Sequence, residues 1–276
     1  MSEKIPCSVG ILTLNSGAGL RRCLLSLADF AEIIVCDGNS TDDTLAIARE
    51  YGAKIIKQYD SDEPNLRCIT DKANVRMRNM SAAKYPWYFF LDSDDTLSPE
   101  AVREIRAIVT TPHPPYLMYK MPSRIFIDGK EIKHEVSYPS YQTRLVHMSV
   151  GARFKGRVHE RLIWDEKKFR AGILKSFYDF HWPAERVRRF WEYQKMYARL
   201  ERDVFEVSGP WSGFCYWGVY RRIRIICGYL YRIPLQYLRF GFKETLPLRL
   251  ELLILWSHLY ILGLFIGKKL TYYVRH

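Results

Sequence analysis

Short apolar runs alternate with helix-period segments along the first third of the chain. Residues 8–14 read as a buried strand, Asn15-Ser16-Gly17 as a turn, and Leu20, Leu24, Leu25 and Leu27 as one face of a helix. A second strand over 32–36 ends in the polar segment 37–44, which caps a helix from about 45 to 51, and a third strand follows at 53–56. Tyr88-Phe89-Phe90-Leu91 is a fourth buried run, and it stops at Asp92-Ser93-Asp94-Asp95. Ser98-Pro99-Glu100 then opens a helix with proline in its first turn. This alternation predicts an α/β fold with right-handed crossovers and a mostly parallel sheet flanked by helices. Ligands of such sheets bind beyond the carboxyl ends of the strands. The turns 13–15, 37–40 and 92–94 should therefore gather along one edge.

The pattern changes after Thr111. Pro112, Pro114 and Pro115 break the chain before a strand at 116–120, and 125–132 reads as a hairpin turning at Asp128-Gly129. Further strands are expected at 141–146 and 173–180. From 185 to 207, Val187, Phe190, Trp191, Gln194, Tyr197, Leu200 and Val204 keep helical spacing, which predicts a helix packed on the core domain. Beyond Ser208-Gly209-Pro210 the chain turns apolar and basic over 216–231 and 252–267. The second run is shorter than the roughly 20 residues of a membrane span. Lys268-Lys269 follow it at once, and helices lying in the interface or dipping into one leaflet are expected, with Trp, Tyr, Lys and Arg at headgroup depth. Folding over the domain, or a dimer contact, is the soluble alternative. The organisation predicted is a catalytic domain over 1–183 (halves 1–111 and 112–183), a packing helix over 184–207 and a membrane-associating appendage over 208–276.

Charge sharpens the last assignment. Of a formal net charge of +12, residues 181–276 carry +9, from 16 Lys or Arg against 7 Asp or Glu. They also hold five of the seven tryptophans, a mixture suited to an anionic membrane surface; nucleic acid is the other polyanion such stretches serve, and is not expected as a partner. Cys7, Cys23, Cys36, Cys68, Cys215 and Cys227 are scattered without a CxxC or zinc spacing, so reduced thiols are expected. The apolar run at 7–14 is too short for a signal peptide. The expected location is the cytoplasmic face of the membrane.

Three carboxylates within four residues repel one another unless a cation or water offsets them. Asp92 and Asp94, two apart, suit one hard divalent ion with oxygen ligands; a solvated turn and helix cap is the other reading. With Ile11-Leu12-Thr13-Leu14-Asn15, Asp37-Gly38-Asn39-Ser40-Thr41-Asp42-Asp43-Thr44 and Arg78-Asn79, the segment Leu91-Asp92-Ser93-Asp94 stands in the order seen in family 2 glycosyltransferases of the GT-A fold. The chain resembles their lipopolysaccharide-core glucosyltransferase branch, which implies a Rossmann-like GT-A sheet flanked by helices. The resemblance continues through Tyr141-Gln142-Thr143-Arg144-Leu145, Gly156-Arg157-Val158-His159-Glu160 and Phe180-His181.

The resemblance implies that Thr13, Asn15, Asp37, Ser40, Arg78, Asp92 and Ser93 bind a nucleotide sugar, by default UDP-linked. It implies that Asp92 and Asp94 hold Mg2+ or Mn2+, with His181 as a third ligand, and that Glu160 is the base. A sugar hydroxyl needs a carboxylate to take its proton as it attacks, and a glutamate is ionised at neutral pH. Read without the resemblance, Glu160 is an ordinary charged residue paired with Arg157 or Arg161, and His181 a satisfied strand-end histidine. Arg67, Lys72 and Arg76 compete with Arg78 as the diphosphate contact. The expected reaction is a single in-line displacement with inversion onto a glycan or lipid-linked acceptor. The alternatives are transfer to a soluble acceptor, a nucleotidyl reaction, or a non-catalytic membrane- or nucleic-acid-binding protein of the same fold.

Overall fold

The computed structural model describes residues 3–66, 71–136, 139–156 and 160–275. Arg67, Cys68, Arg157 and His159, which figure in the expectations above, lie outside the described residues. The chain divides into two units, one of residues 1–125 and 139–181, the other of 126–138 and 182–276. The segment 126–138, assigned from sequence to the acceptor half of the catalytic domain, thus groups with the C-terminal helices.

The first unit opens with β1 (Ile5–Thr13), α1 (Gly17–Ser26), β2 (Phe30–Asp37), α2 (Thr44–Glu50), β3 (Lys54–Lys57), α3 (Lys72–Ser81) and β4 (Trp87–Asp92). β5 (Asp95–Leu97), α4 (Pro99–Val109) and β6 (Met118–Ile127) follow; β6 turns through Asp128 and Gly129, both at positive φ, into β7 (Lys130–Ile132). β8 (Tyr141–His147), β9 (Arg153–Lys155), β10 (Arg161–Ile163), β11 (Gly172–Ile173) and β12 (Tyr178–Trp182) complete the strands. The main sheet has the order β3-β2-β1-β4-β8-β6-β12-β5.

The four strands β3, β2, β1 and β4 are parallel, as the helix-length crossovers between them require. Past β4 the pairing turns antiparallel, with β4 on β8 and β8 on β6, so the sheet is mixed rather than mostly parallel. The reason is local: among the described residues no helix lies between β6 and β8, and short connections join antiparallel neighbours. Val9, Ile11, Val35, Phe89 and Leu91 are fully buried in the core of this sheet. Ser98 caps α4 by accepting a hydrogen bond from the Ala101 amide at 3.3 Å, as its sequence position predicts.

α3 is locked to the sheet by Asn79. Its amide donates to the carbonyls of Ile11 (3.2 Å) and Ile34 (3.1 Å), and its oxygen accepts from the Tyr88 hydroxyl (2.9 Å). This approach is possible because residue 10 is glycine: a Cβ there would stand 2.0 Å from the Tyr88 hydroxyl and 2.2 Å from Asn79 Oδ1. β5 was not anticipated, since its three residues read as part of a turn. It pairs antiparallel with β12, Phe180 opposite Asp95 and Tyr178 opposite Leu97. The strand expected at 173–180 is two short strands, β11 and β12.

In the second unit, the helix expected over 185–207 is two, α5 (Ala184–Arg188) and α6 (Phe190–Val204). A short helix, α7 (Trp211–Phe214), runs through a π-helical turn, Cys215–Tyr220, into α8 (Arg221–Phe240). The last helix is α9 (Leu248–Arg275). Ala198 of α6 packs with Phe214, Ile261 and Phe265, and Ile226 and Ile233 of α8 pack with Leu255. The segment after β7 is held by the α8–α9 connection: the Lys133 and His134 amides donate to Glu244 O at 2.8 and 3.1 Å, and Leu246 N donates to His134 O at 2.9 Å.

Lys268 and Lys269 fold inward onto backbone carbonyls of their own unit. Lys268 Nζ donates to the carbonyls of Arg202, Asp203 and Phe205 at 2.8, 3.1 and 2.7 Å, where α6 ends. Lys269, 4 % exposed, donates to Val207 O and Gly209 O, each at 2.7 Å. A helix end leaves carbonyls without partners and carries partial negative charge, so an ammonium there is well compensated.

Candidate active site

The parallel register brings the predicted turns to one edge. Thr13 lies opposite Asp37 across β1 and β2, and Leu12 lies opposite Asp92 across β1 and β4. Asp37 is buried, and its oxygens gather the first two turns: Thr13 Oγ1 donates at 2.7 Å, Ser40 Oγ at 2.6 Å and Ser40 N at 2.7 Å. Asn15, in the left-handed region at φ 48°, donates its amide to Ser40 Oγ at 2.8 Å and accepts from Thr41 N at 2.9 Å. Thr13, Asn15, Asp37 and Ser40 are therefore one hydrogen-bonded group. Gln58, unremarked in the sequence, sits beneath them, donating to Thr13 O (3.0 Å) and Cys36 O (3.2 Å).

The acidic triplet is built around two buried arginines. Arg76 of α3 pairs with Asp92 Oδ1 through Nη2 and donates to Leu91 O at 3.3 Å. Arg144 of β8 donates to Phe90 O at 3.3 Å and pairs with Asp95 Oδ2 at 3.5 Å. Each guanidinium lies 5.2 Å from the Phe90 ring, so this aromatic is flanked by two cations. Burial acts to raise the Asp92 pKa, but Arg76, Arg144 and Lys72 outweigh it and hold the carboxylate well below its ordinary range. The side chain of Asp92 is 41 % exposed, which weakens the burial effect and leaves the cations in control of the sign. Asp95 is shifted the other way: full burial, reinforced by the charge of Asp92, pushes it well above the carboxylate range.

Glu160 joins this group. Its Oε1 lies 3.8 Å from Arg76 Nε and 3.8 Å from Lys72 Nζ, so Asp92 and Glu160 share one guanidinium. Of the described basic candidates, Arg76 and Lys72 stand at the carboxylates, and Arg78 pairs instead with Asp60 at the surface. The sequence signal for Arg76 was its place three residues before Asn79, on the face of α3 that meets the sheet. Arg144 was visible within a motif but had no role assigned.

Ser93 donates to Ser16 Oγ at 3.0 Å, and Arg22 of α1 donates to the Asp94 carbonyl at 3.4 Å, tying the triplet to the first helix. His181 follows Phe180 in β12, so the antiparallel register places it level with Asp94; its Nε2 is 3.0 Å from Thr96 Oγ1. Among the described residues no three His, Cys, Asp or Glu side chains are grouped to hold a metal ion, so Asp92, Asp94 and His181 do not form such a cluster. The donors fit a more modest site. Mg2+ is commonly held by one or two carboxylates, with substrate phosphates and water completing the shell, and Asp92 and Asp94 supply that pair at a partly exposed edge.

Burial, with a smaller contribution from Arg22, lowers the His181 pKa to about 4 from 6.5. A base with a depressed pKa contributes stability that is complete above pH 6.5 and is lost as the pH falls toward 4. Urea unfolding across that window should show a shallower loss of stability in His181→Gln than in the wild type. An equal pH dependence would show that His181 is ionised without penalty.

The glycosyl transferase family 2 model matches residues 8–114. The lipopolysaccharide core biosynthesis glycosyltransferase LpsC of Rhizobium meliloti (strain 1021) is 28 % identical over 167 residues, covering 59 % of this chain and 59 % of that protein. A PGL/p-HBAD biosynthesis glycosyltransferase of Mycobacterium bovis (strain BCG / Pasteur 1173P2) is 34 % identical over 122 residues, 41 % of this chain and 44 % of that protein. The chain thus spans less than two thirds of the length of these curated relatives. The structure of S. aureus TarS 1-349 in complex with UDP-GlcNAc aligns with 98 % of this chain and 92 % of its own, with TM-score 0.50 and 16 % identity, a likeness of fold. The matched stretch contains Thr13, Asn15, Asp37, Ser40, Arg76, Asp92 and Asp94; over residues 8–114 the chain is similar to glycosyl transferase family 2, and its fold is of the GT-A type.

Proposed function

We propose that the protein is an inverting glycosyltransferase that moves a sugar from a nucleotide sugar to a glycan or lipid-linked acceptor at the cytoplasmic face of a membrane. One observation carries the reading: Asp92 and Glu160 converge on Arg76 at the same strand edge as the Thr13–Asp37 group. The kinship with LpsC, named for lipopolysaccharide core biosynthesis, supports an envelope glycan as acceptor.

In this reading the Thr13, Asn15, Asp37 and Ser40 group seats the nucleoside, and a UDP-linked sugar is the first donor to test. Glu160 accepts the proton of the acceptor hydroxyl as its oxygen attacks the anomeric carbon, and the bond to the nucleotide diphosphate breaks in the same step. Arg76 and Lys72 hold the Glu160 carboxylate toward the acid-bearing edge. Asp92 and Asp94 would hold Mg2+ or Mn2+, whose charge would stabilise the departing diphosphate.

The test is calorimetric titration with a panel of nucleoside diphosphates and nucleotide sugars, with and without Mn2+, repeated on Asp94→Ala. Metal-dependent binding of one nucleotide, lost in Asp94→Ala, is the expected result. If no nucleotide binds under any metal condition, residues 92–94 are a solvated turn and the catalytic reading fails.

A further inference from the structure

α8 and α9 form an antiparallel hairpin. Arg222 Nη1 lies 3.0 Å from His258 Nδ1, and Gln236 Nε2 lies 3.3 Å from Glu251 Oε1, so rising numbers on one helix meet falling numbers on the other. Each helix buries one face in this pairing and exposes another that is apolar. On α8 the exposed face carries Ile223, Leu230 and Leu238, the last two 56 and 85 % exposed. On α9 it carries Leu252, Trp256 (55 % exposed), Leu259, Ile266 and Leu270.

The two exposed stripes share a side. At about 100° per residue, each stripe lies roughly 90–110° clockwise of the face that meets the partner helix, viewed from its own N-terminus. Reversing one helix reverses the sense for a common viewer. In an antiparallel pair both stripes therefore point the same way, and together they make one apolar platform.

Charge identifies what the platform meets. Residues 208–276 contain ten Lys or Arg and two Glu. Glu251 is buried, and Glu244 is paired with Lys133 at 2.9 Å. Arg224, Arg232 and Arg239 are exposed on the flank of α8 turned away from α9. An apolar face rimmed by arginines complements lipid acyl chains beneath anionic headgroups.

α9 is long and apolar enough to cross a membrane, with a mean hydropathy of 1.8, but a third of its apolar window is buried. Near its two ends, Glu251 and Lys269 are buried and bound to groups of this same unit. Crossing would strip away those contacts.

We propose that the α8–α9 hairpin lies flat in one leaflet of an anionic phospholipid bilayer, its joint apolar stripe inserted and the α8 arginines on headgroup phosphates. This deepens the membrane-borne acceptor reading by naming the docking surface, but it rests on packing and charge within the helices and not on catalysis.

The test is co-sedimentation of the full chain with phosphatidylcholine vesicles, with and without phosphatidylglycerol, in the absence of any donor or acceptor. The wild type should bind the anionic vesicles in preference, and less so as salt rises. The platform variant Leu230→Glu/Leu238→Glu/Trp256→Glu should lose more than about tenfold in partitioning. The rim variant Arg224→Gln/Arg232→Gln/Arg239→Gln should lose about fivefold per arginine, roughly a hundredfold in all, on anionic vesicles only. Circular dichroism melting shows that each variant is folded. The proposal is overturned if folded platform variants bind like the wild type, if the wild type binds no vesicle, or if the platform substitutions only split a dimer into monomers. Nucleotide binding without vesicle binding would sink this inference and leave the catalytic reading intact; the converse would do the opposite.

Discussion

Glu160→Gln is expected to lower kcat by between about a hundredfold and ten-thousandfold, the usual contribution of a positioned general base, while donor binding persists. The substitution keeps the shape of the side chain and removes its charge and basicity. Glu160 sits 3.8 Å from both Arg76 and Lys72, an ion-pair distance rather than a hydrogen-bond distance. Those cations orient the carboxylate without consuming it in a bidentate bond. The decisive comparison is kcat at saturating donor and acceptor beside the dissociation constant of the donor. A loss confined to kcat assigns the base, whereas a fall in donor affinity and melting temperature together would mean that Glu160 merely supports Arg76. Retention of more than a tenth of the wild-type kcat would move the base elsewhere.

Arg144→Ala should have the largest effect on stability, about 3–5 kcal/mol, because it strips one partner from a fully buried ion pair. That is a large fraction of the 5–15 kcal/mol typical of a folded domain. The guanidinium contacts the Asp95 carboxylate, the Phe90 carbonyl and the Tyr178 ring, whose centroid is 4.3 Å away. Without it the ionised form of Asp95 has no compensating charge in a dry site. Asp95 already has a raised pKa, and losing Arg144 raises it further. An acid with a raised native pKa contributes stability that is lost as the pH rises through that pKa. The variant should therefore lose more stability than the wild type between mildly acidic and alkaline pH. Urea midpoints at the two ends of that range read this directly. A cost below about 1 kcal/mol, or a difference between variant and wild type that does not change with pH, would mean that Asp95 is held by other groups.

Local pattern carried the parallel half of the sheet. β1, β2 and β4 are apolar runs closed by polar turns, and once they are parallel their ends must share an edge. Thr13, Asn15, Asp37, Ser40 and Asp92 were legible for that reason. The α4 cap and the Asp128-Gly129 turn were likewise written in single residues whose backbone preferences are strong. β5 was hidden because its three residues become a strand only against β12, more than eighty positions away, where Phe180 meets Asp95. The same separation in sequence concealed what the cations do. The spacing of Arg76 to Asn79 marks its face of α3 and a motif contains Arg144, but neither says which carboxylate each meets; burial beside Phe90 does, and burial is a property of the assembled core.

The C-terminal helices divide in the same way. Their period, their exposed-face chemistry and their excess of cations were determined by the sequence alone. Which cations remain outside was decided only by packing: Lys268 and Lys269 fold inward onto the carbonyls at the end of α6, while Arg224, Arg232 and Arg239 stay exposed. Composition states how much charge a segment carries. Only the tertiary structure states which of that charge has already found a partner, because desolvation and hydrogen bonding depend on what lies across from each side chain.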